Sequence, residues 1–279
     1  MDNTNLNHMN SLSWFILAFF LCVGCITIPQ NLSSSYVPSV KKRHSAPVDA
    51  FGLVKRSVNA VPVGCKGKKE DKDKCDLILK NLPNLTSTGT GSGMLVSSSL
   101  GPVVMTAAHV CQPEVPESFT HEGVTITINS SVTFVIKVPT LGQYPAKIVR
   151  IDPVKDLCLL KPAVVYTHPV PIAKKAPTHG DVVFSISAPY GISGPNMALI
   201  FRGFYSGKDN FPPHGREVRF YTVPTKPGSS GSSVFNEDWE VIGVIHTAFT
   251  MVENVGIGSG WKDVTEFLYP PPRTTSKTD

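Results

Sequence analysis

From about residue 85 the chain runs as short stretches of strand-forming residues separated by Gly, Pro and Asn. This texture limits the fold more than any other feature. The stretches are SGMLVSS (92–98), PVVMTA (102–107), GVTITIN (123–129), VTFVIKV (132–138), AKIVRI (146–151), DLCLL (156–160), DVVFSIS (181–187), ALIFRGFY (198–205), EVRFYTV (217–223), SVF (233–235) and EVIGVI (240–245). Strand-length runs at such spacing predict an all-β antiparallel barrel or sandwich. The 22 glycines and 24 prolines among 279 residues favour many turns over long helices. One short terminal helix is expected at DVTEFL (263–268), stopped by the prolines at 270–272, with a disordered tail over 271–279.

Upstream the texture is different. Residues 29–80 are rich in Ser, Pro and Lys and read as a linker and basic approach segment, which leaves 81–270 as the folded domain. The one long apolar run, LSWFILAFFLCVGCITI at 12–28, lies between a signal-peptide core and a minimal membrane-spanning helix in length. A hydrophobic signal or anchor over 1–28 is therefore expected, with membrane association through 12–28. Residues 1–11 hold no Lys or Arg, whereas Lys41, Lys42, Arg43, Lys55 and Arg56 follow the run. That asymmetry favours a cytosol-facing domain, with a secreted or periplasmic one as the alternative.

The net charge of +5 is modest, and its alternating stretch GKKEDKDK at 67–74 reads as a solvated loop. Only Tyr36 and Phe51 lie near the basic residues to stack on bases, so no nucleic-acid partner is expected. Six cysteines are too few for a disulfide scaffold. Cys22 and Cys25 fall in the apolar run, and Cys65 and Cys75 bracket the charged loop, where they are placed to close a small ring. Cys111 and Cys158 read as buried free thiols. With no C-x-x-C pair and partner histidines, neither a metal nor a small-molecule cofactor is expected.

Three motifs carry chemistry: TAAHVC at 106–111, KDLCLL at 155–160 and GSSGSS at 228–233. Each alone has an ordinary structural reading. Together they supply what acyl transfer requires. A serine hydroxyl is a poor nucleophile until a base takes its proton, a carboxylate must orient that base, and backbone N–H groups must meet the oxyanion. The order His109, Asp156, Ser is one known to support this chemistry. Ala107 and Ala108 leave room for an imidazole, Leu157, Leu159 and Leu160 would bury Asp156, and Gly228 and Gly231 permit a tight turn.

Through TGTGSGMLV, TAAHV, DLCLL, GDVVFSIS and PGSSGSSVFNEDWEVIGV, residues 85–270 resemble the trypsin/chymotrypsin-like serine peptidases. The texture is similar to the HtrA protease domain of bacteria and to viral proteases that process polyproteins. The resemblance implies a double six-stranded antiparallel β-barrel, with His109 and Asp156 from the first barrel and Ser230 from the second. It places the nucleophile at Ser230, because the Gly-x-Ser-Gly pattern falls on 228–231, and the oxyanion hole at the N–H groups of Gly228 and Ser230. Asp152 is a rival carboxylate, but Pro153 follows it, whereas the Asp-Leu-x-Leu-Leu pattern starts at Asp156.

Two departures from the family are legible. Ser229 stands where digestive members carry an acid that pairs with a newly cleaved N-terminus, so activation by such processing is not expected. Ser232 and Ser233 replace Gly-Pro or Gly-Ala and are small enough to fit. For specificity, the resemblance suggests Thr225 and His246 as a pocket for Glu or Gln ahead of the cut. His246 falls one residue later than the viral pattern expects, which leaves a packing or hydrogen-bonding role near Asp156 as the other reading. The function implied is a serine endopeptidase acting on a protein or polyprotein, as a viral or phage processing protease. The alternative is a catalytically silent module of the same fold.

Overall fold

Strand pairing begins earlier than the sequence texture predicts. A computed structural model describes residues 45–271, apart from 69–70, 113–114, 140, 212–214 and 250–251. The expected anchor at 1–28, Cys22, Cys25 and nearly all of the expected tail lie outside the described residues. Residues 51–81 do not form the expected linker. Phe51–Lys66 is strand β1, and Lys72–Asn81 is helix α1. In β1 the side chains of Val54, Val58 and Ala60 are buried, while Lys55, Ser57 and Asn59 between them are exposed. This is the period-two signature of a half-buried strand. Pro62, which argues against a strand, sits where the register shifts, a place where a missing N–H donor is tolerated. A disulfide from Cys65 to Cys75 ties α1 to the end of β1 and closes the small ring that the sequence suggested.

The first barrel continues with β2 (Leu85–Val96), β3 (Val103–Thr106), β5 (Val124–Val138), β6 (Gly142–Asp152) and β7 (Leu157–Pro162). The order β1-β2-β3-β7-β6-β5 closes on itself because β1 pairs with β5 as well as with β2, and β4 (Ser118–His121) hangs on β5 as a hairpin. The second barrel is also closed and six-stranded. Its strands are β8 (Val182–Ser187), β9 (Leu199–Phe211), β10 (Arg216–Tyr221), β11 (Ser233–Phe235), β12 (Val241–Ala248) and β13 (Gly256–Gly260), in the order β10-β13-β12-β11-β8-β9. The expected double six-stranded barrel is the observed architecture. The two runs expected at 123–129 and 132–138 join into one strand, β5.

A single-turn helix α2 (Ala108–Cys111) follows β3, and the terminal helix α3 (Trp261–Leu268) follows β13. Helix α3 buries Val264, Phe267 and Leu268 in a core that also contains Val54, Leu95 and Leu159 of the first barrel and Ile186, Phe235 and Val241 of the second. This cluster joins the first barrel to the facing side of the second, whose own interior is a separate cluster that includes Val183, Tyr205, Tyr221, Val234 and Ile242. Among the described residues, no helix is long and apolar enough to cross a membrane.

Candidate active site

The imidazole of His109 projects from α2, which turns immediately out of β3. Asp156 ends the turn between β6 and β7 at φ 49°, a conformation that Asp adopts more readily than most residues. The β3–β7 pairing sets Thr106 opposite Cys158 and so brings the two segments together. One Asp156 oxygen, Oδ2, accepts from His109 Nδ1 at 2.8 Å, and the other, Oδ1, accepts the His109 backbone N–H at 3.0 Å. The carboxylate therefore grips its partner by ring and main chain at once. The rival Asp152 ends β6 and braces the turn that follows, its Oδ1 accepting the Lys155 N–H at 2.9 Å.

Burial pushes the Asp156 carboxyl up. The hydrogen bond and charge of His109, its backbone N–H and the field of His246 outweigh that cost, so the net position is below the ordinary value. The Asp156 side chain keeps 22% of its exposure and that of His109 49%, which leaves the imidazole edge open to the cleft.

Cys111 and Cys158 are not free thiols. They form a disulfide with a Cα–Cα distance of 6.5 Å, and both are buried. Each stands two positions after one of the residues just described, His109 and Asp156, so the bridge closes behind the pair. Spacing in sequence hid this, because the partners are 47 residues apart.

The serine cluster forms the opposite wall. Ser229 N–H donates to Lys226 O (2.9 Å), Ser229 Oγ accepts from Lys226 N–H (3.3 Å), and Ser232 Oγ donates to Ser229 O (2.5 Å). Ser229, where an acid is absent, is buried and used within the turn itself. Gly228 and Gly231 adopt φ 94° and 88°. A Cβ at Gly231 would lie 2.1 Å from Thr106 Oγ1 and 2.2 Å from Ser92 O, so glycine is required for space as well as for conformation. The N–H groups of Ser229, Gly231 and Ser232 are all bonded. Among the described residues those of Gly228 and Ser230 have no acceptor. Two backbone donors with a single residue between them are left over in the turn.

Ser230 Oγ donates to the His246 carbonyl at 3.2 Å. Among the described residues it makes no hydrogen bond to His109, an arrangement often met in unliganded sites, where such bonds tighten on substrate binding. His109, Asp156, Thr225, Ser230 and His246 line one cleft of about 440 Å³ between the barrels. Thr225 is buried, and its hydroxyl donates to Val223 O at 3.2 Å. The His246 ring is only 1% exposed, with Nδ1 at 3.8 Å from Asp156 Oδ2 and Nε2 at 3.2 Å from Arg216 Nη2. Among the described residues no group of His, Cys, Asp and Glu is placed to hold a metal ion.

Two supporting residues escaped the sequence reading. Ser92 of β2 donates from Oγ to Gly228 O (2.9 Å), accepts the Ala188 N–H (3.0 Å) and donates its own N–H to Ser230 O (2.7 Å). It fastens the first barrel to the serine turn of the second. Arg56 of β1 donates from Nη1 to the carbonyls of His109 (3.1 Å) and Val110 (3.2 Å), holding the end of α2. The GSG texture contained Ser92, but Arg56 lay in the basic stretch read as linker.

Two six-stranded antiparallel barrels, with a His–Asp pair facing a glycine-bounded serine across their junction, define a double-barrel protein of the trypsin type. The family described as "Trypsin-like peptidase domain" matches residues 91–244, more than half of the chain, and the chain belongs to that family. Among curated relatives it is 29% identical over 140 residues to "Probable periplasmic serine endoprotease DegP-like" of Marinomonas sp. (strain MWYL1), covering 47% of this chain and 28% of the relative. The protein of the same name from Pseudomonas fulva (strain 12-X) is 30% identical over 122 residues, with 42% and 24% covered. The chain thus spans less than a third of the length of these relatives. The active form of Rv3671c protease from M. tuberculosis is similar in fold, with a TM-score of 0.50, 19% identity, and 80% of this chain and 82% of that one covered.

Proposed function

We propose that the protein is a serine-type endopeptidase in which Ser230 is the nucleophile, His109 the general base and Asp156 the residue that orients it. The observation that carries this reading is the double acceptance by Asp156 of the His109 ring and main chain, opposite a serine turn with two unengaged N–H groups. In the reaction Ser230 Oγ gives its proton to His109 Nε2 and bonds to the substrate carbonyl carbon. The oxyanion is met by the N–H groups of Gly228 and Ser230. His109 returns the proton to the departing amine as the C–N bond breaks, leaving an acyl-serine. Water, deprotonated by the same imidazole, then releases the acid. The Nδ1–H bond to Asp156 fixes the tautomer that leaves Nε2 free to accept.

The domain works in an oxidising compartment. The two disulfides support this, since such bonds persist outside the reducing cytosol. This favours the secreted or periplasmic setting over the cytosol-facing one that the charge pattern suggested. Processing of a polyprotein rests on the sequence texture alone and names the first substrate class to try.

The test is labelling with a fluorophosphonate probe. Wild type and Ser229→Ala are expected to label, and Ser230→Ala is not. Labelling that persists in Ser230→Ala and disappears in Ser229→Ala would overturn the nucleophile assignment. A folded wild type that never labels would favour the silent-module reading.

A further inference from the structure

Residues Lys155 and Asp156 are held from the far side by the second barrel. Ser259 Oγ of β13 donates to the Lys155 carbonyl, and Arg216 Nη2 of β10 donates to the same oxygen at 3.1 Å. Arg216 Nη2 also reaches Ser259 Oγ at 3.1 Å, and its Nη1 lies 3.9 Å from Asp263 Oδ2 of α3. Lys155 Nζ bonds Glu266 of the same helix at 2.9 Å. His246 of β12 completes the set, wedged between Arg216 and Asp156.

The chemistry of this contact fixes the proton on His246. A guanidinium has five N–H donors and no acceptor. The ring nitrogen that meets Arg216 must therefore offer a lone pair, so Nε2 is bare and the proton of the neutral ring is on Nδ1. That nitrogen is the one facing the Asp156 carboxylate. A ring so engaged has no edge to offer a substrate, and its side chain is almost without exposure.

We propose that His246 is a positioning residue, an imidazole locked by Arg216 with Nδ1 protonated, which supports Asp156 from the second barrel rather than lining the substrate pocket. The proposal rests on the endopeptidase reading above. It makes His246 and Arg216 determinants of turnover rather than of residue preference. It also gives a reason for two barrels: the carboxylate of one is set by side chains of the other.

The experiment joins kinetics to nitrogen-15 NMR of histidine-labelled protein. In wild type the His246 resonances are expected to report a protonated Nδ1 and an unprotonated Nε2, a pattern lost in Arg216→Met. His246→Leu is expected to lower kcat on the order of 10- to 100-fold with KM and the peptide-library preference unchanged. His246→Asn, whose amide N–H occupies the place of Nδ1–H, should recover most of that loss. A protonated Nε2 in wild type would overturn the proposal. So would an unchanged kcat in His246→Leu accompanied by altered KM or residue preference, which would return His246 to the pocket. If His246→Leu does not fold by near-ultraviolet circular dichroism, the wild-type tautomer and its response to Arg216→Met decide the matter. A wild type that fails to react with fluorophosphonate while keeping the Nδ1–H tautomer would sink the endopeptidase reading and leave the clamp itself standing.

Discussion

Asp156 bears more of the site than any other side chain, and its electrostatics have a consequence that can be measured. Its carboxyl is depressed below the ordinary value because the folded state favours the charged form, despite burial. A depressed carboxyl contributes stability that is present above the unfolded value, about 3.9, and is lost as pH falls through the folded value. Asp156→Asn is therefore expected to be less stable than wild type at neutral pH, with the difference shrinking below about pH 4. Urea unfolding across pH 2.5 to 7 checks this, and a pH-independent difference would contradict it. Activity of the same variant should fall on the order of 10⁴-fold, since the imidazole loses its tautomer and its orientation. In the sequence, the Leu-rich strand that follows it favoured it over Asp152, which Pro153 follows, and it is Asp156 that meets His109. Its positive φ and its second-barrel partners were not legible there, because long-range contacts leave no mark on neighbouring residues in the chain.

At the scale of elements, the bridge between Cys111 and Cys158 joins the helix that carries His109 to the strand that follows Asp156. Removing it as the double Ala variant is expected to cost about 2–5 kcal/mol and to lower labelling by a fluorophosphonate. Denaturant titration and active-site labelling measure the two effects. Unchanged labelling would show that hydrogen bonds alone keep the pair in register. Strands with an alternating or β-branched pattern were legible, and so was α3 ahead of its prolines. Strand β13 was hidden for a physical reason. Its glycines alternate because a Cβ at Gly258 would strike Val244 O at 2.0 Å and one at Gly260 would crowd Arg219 at 2.6 Å. Close packing there selects residues that lack any strand propensity. Strand β1 was hidden by its polar residues: Lys55 and Asn59 face solvent, while Arg56 turns toward the end of α2.

Across the whole molecule, one apolar cluster spans the first barrel, the facing side of the second and α3, while the second barrel keeps a further cluster inside itself. Arg150 of β6 donates to the Phe267 carbonyl at 2.5 Å, and the Ser99 N–H donates to Leu268 O at 3.0 Å, so α3 is fastened to the first barrel. Units joined by a shared apolar junction and a terminal staple do not melt separately. Calorimetry should show one transition with equal calorimetric and van't Hoff enthalpies. Two resolved transitions would mean that each barrel holds itself. The short strands made an antiparallel barrel or sandwich legible in the sequence, and the double barrel came from the resemblance to the trypsin-like peptidases. The docking of the two barrels was not legible, since it depends on residues such as Ser92 and Gly228, which are 136 positions apart.

That last separation bears on the life of the chain during synthesis. Domains fold as they emerge, the N-terminal parts first. The segments bearing Ser92, His109 and Asp156 leave the ribosome while the turn with Ser230 is still untranslated. Ser92, made early, thus waits for the serine turn that it later fastens through Gly228 and Ser230, and the cleft is complete only once the second barrel has been translated.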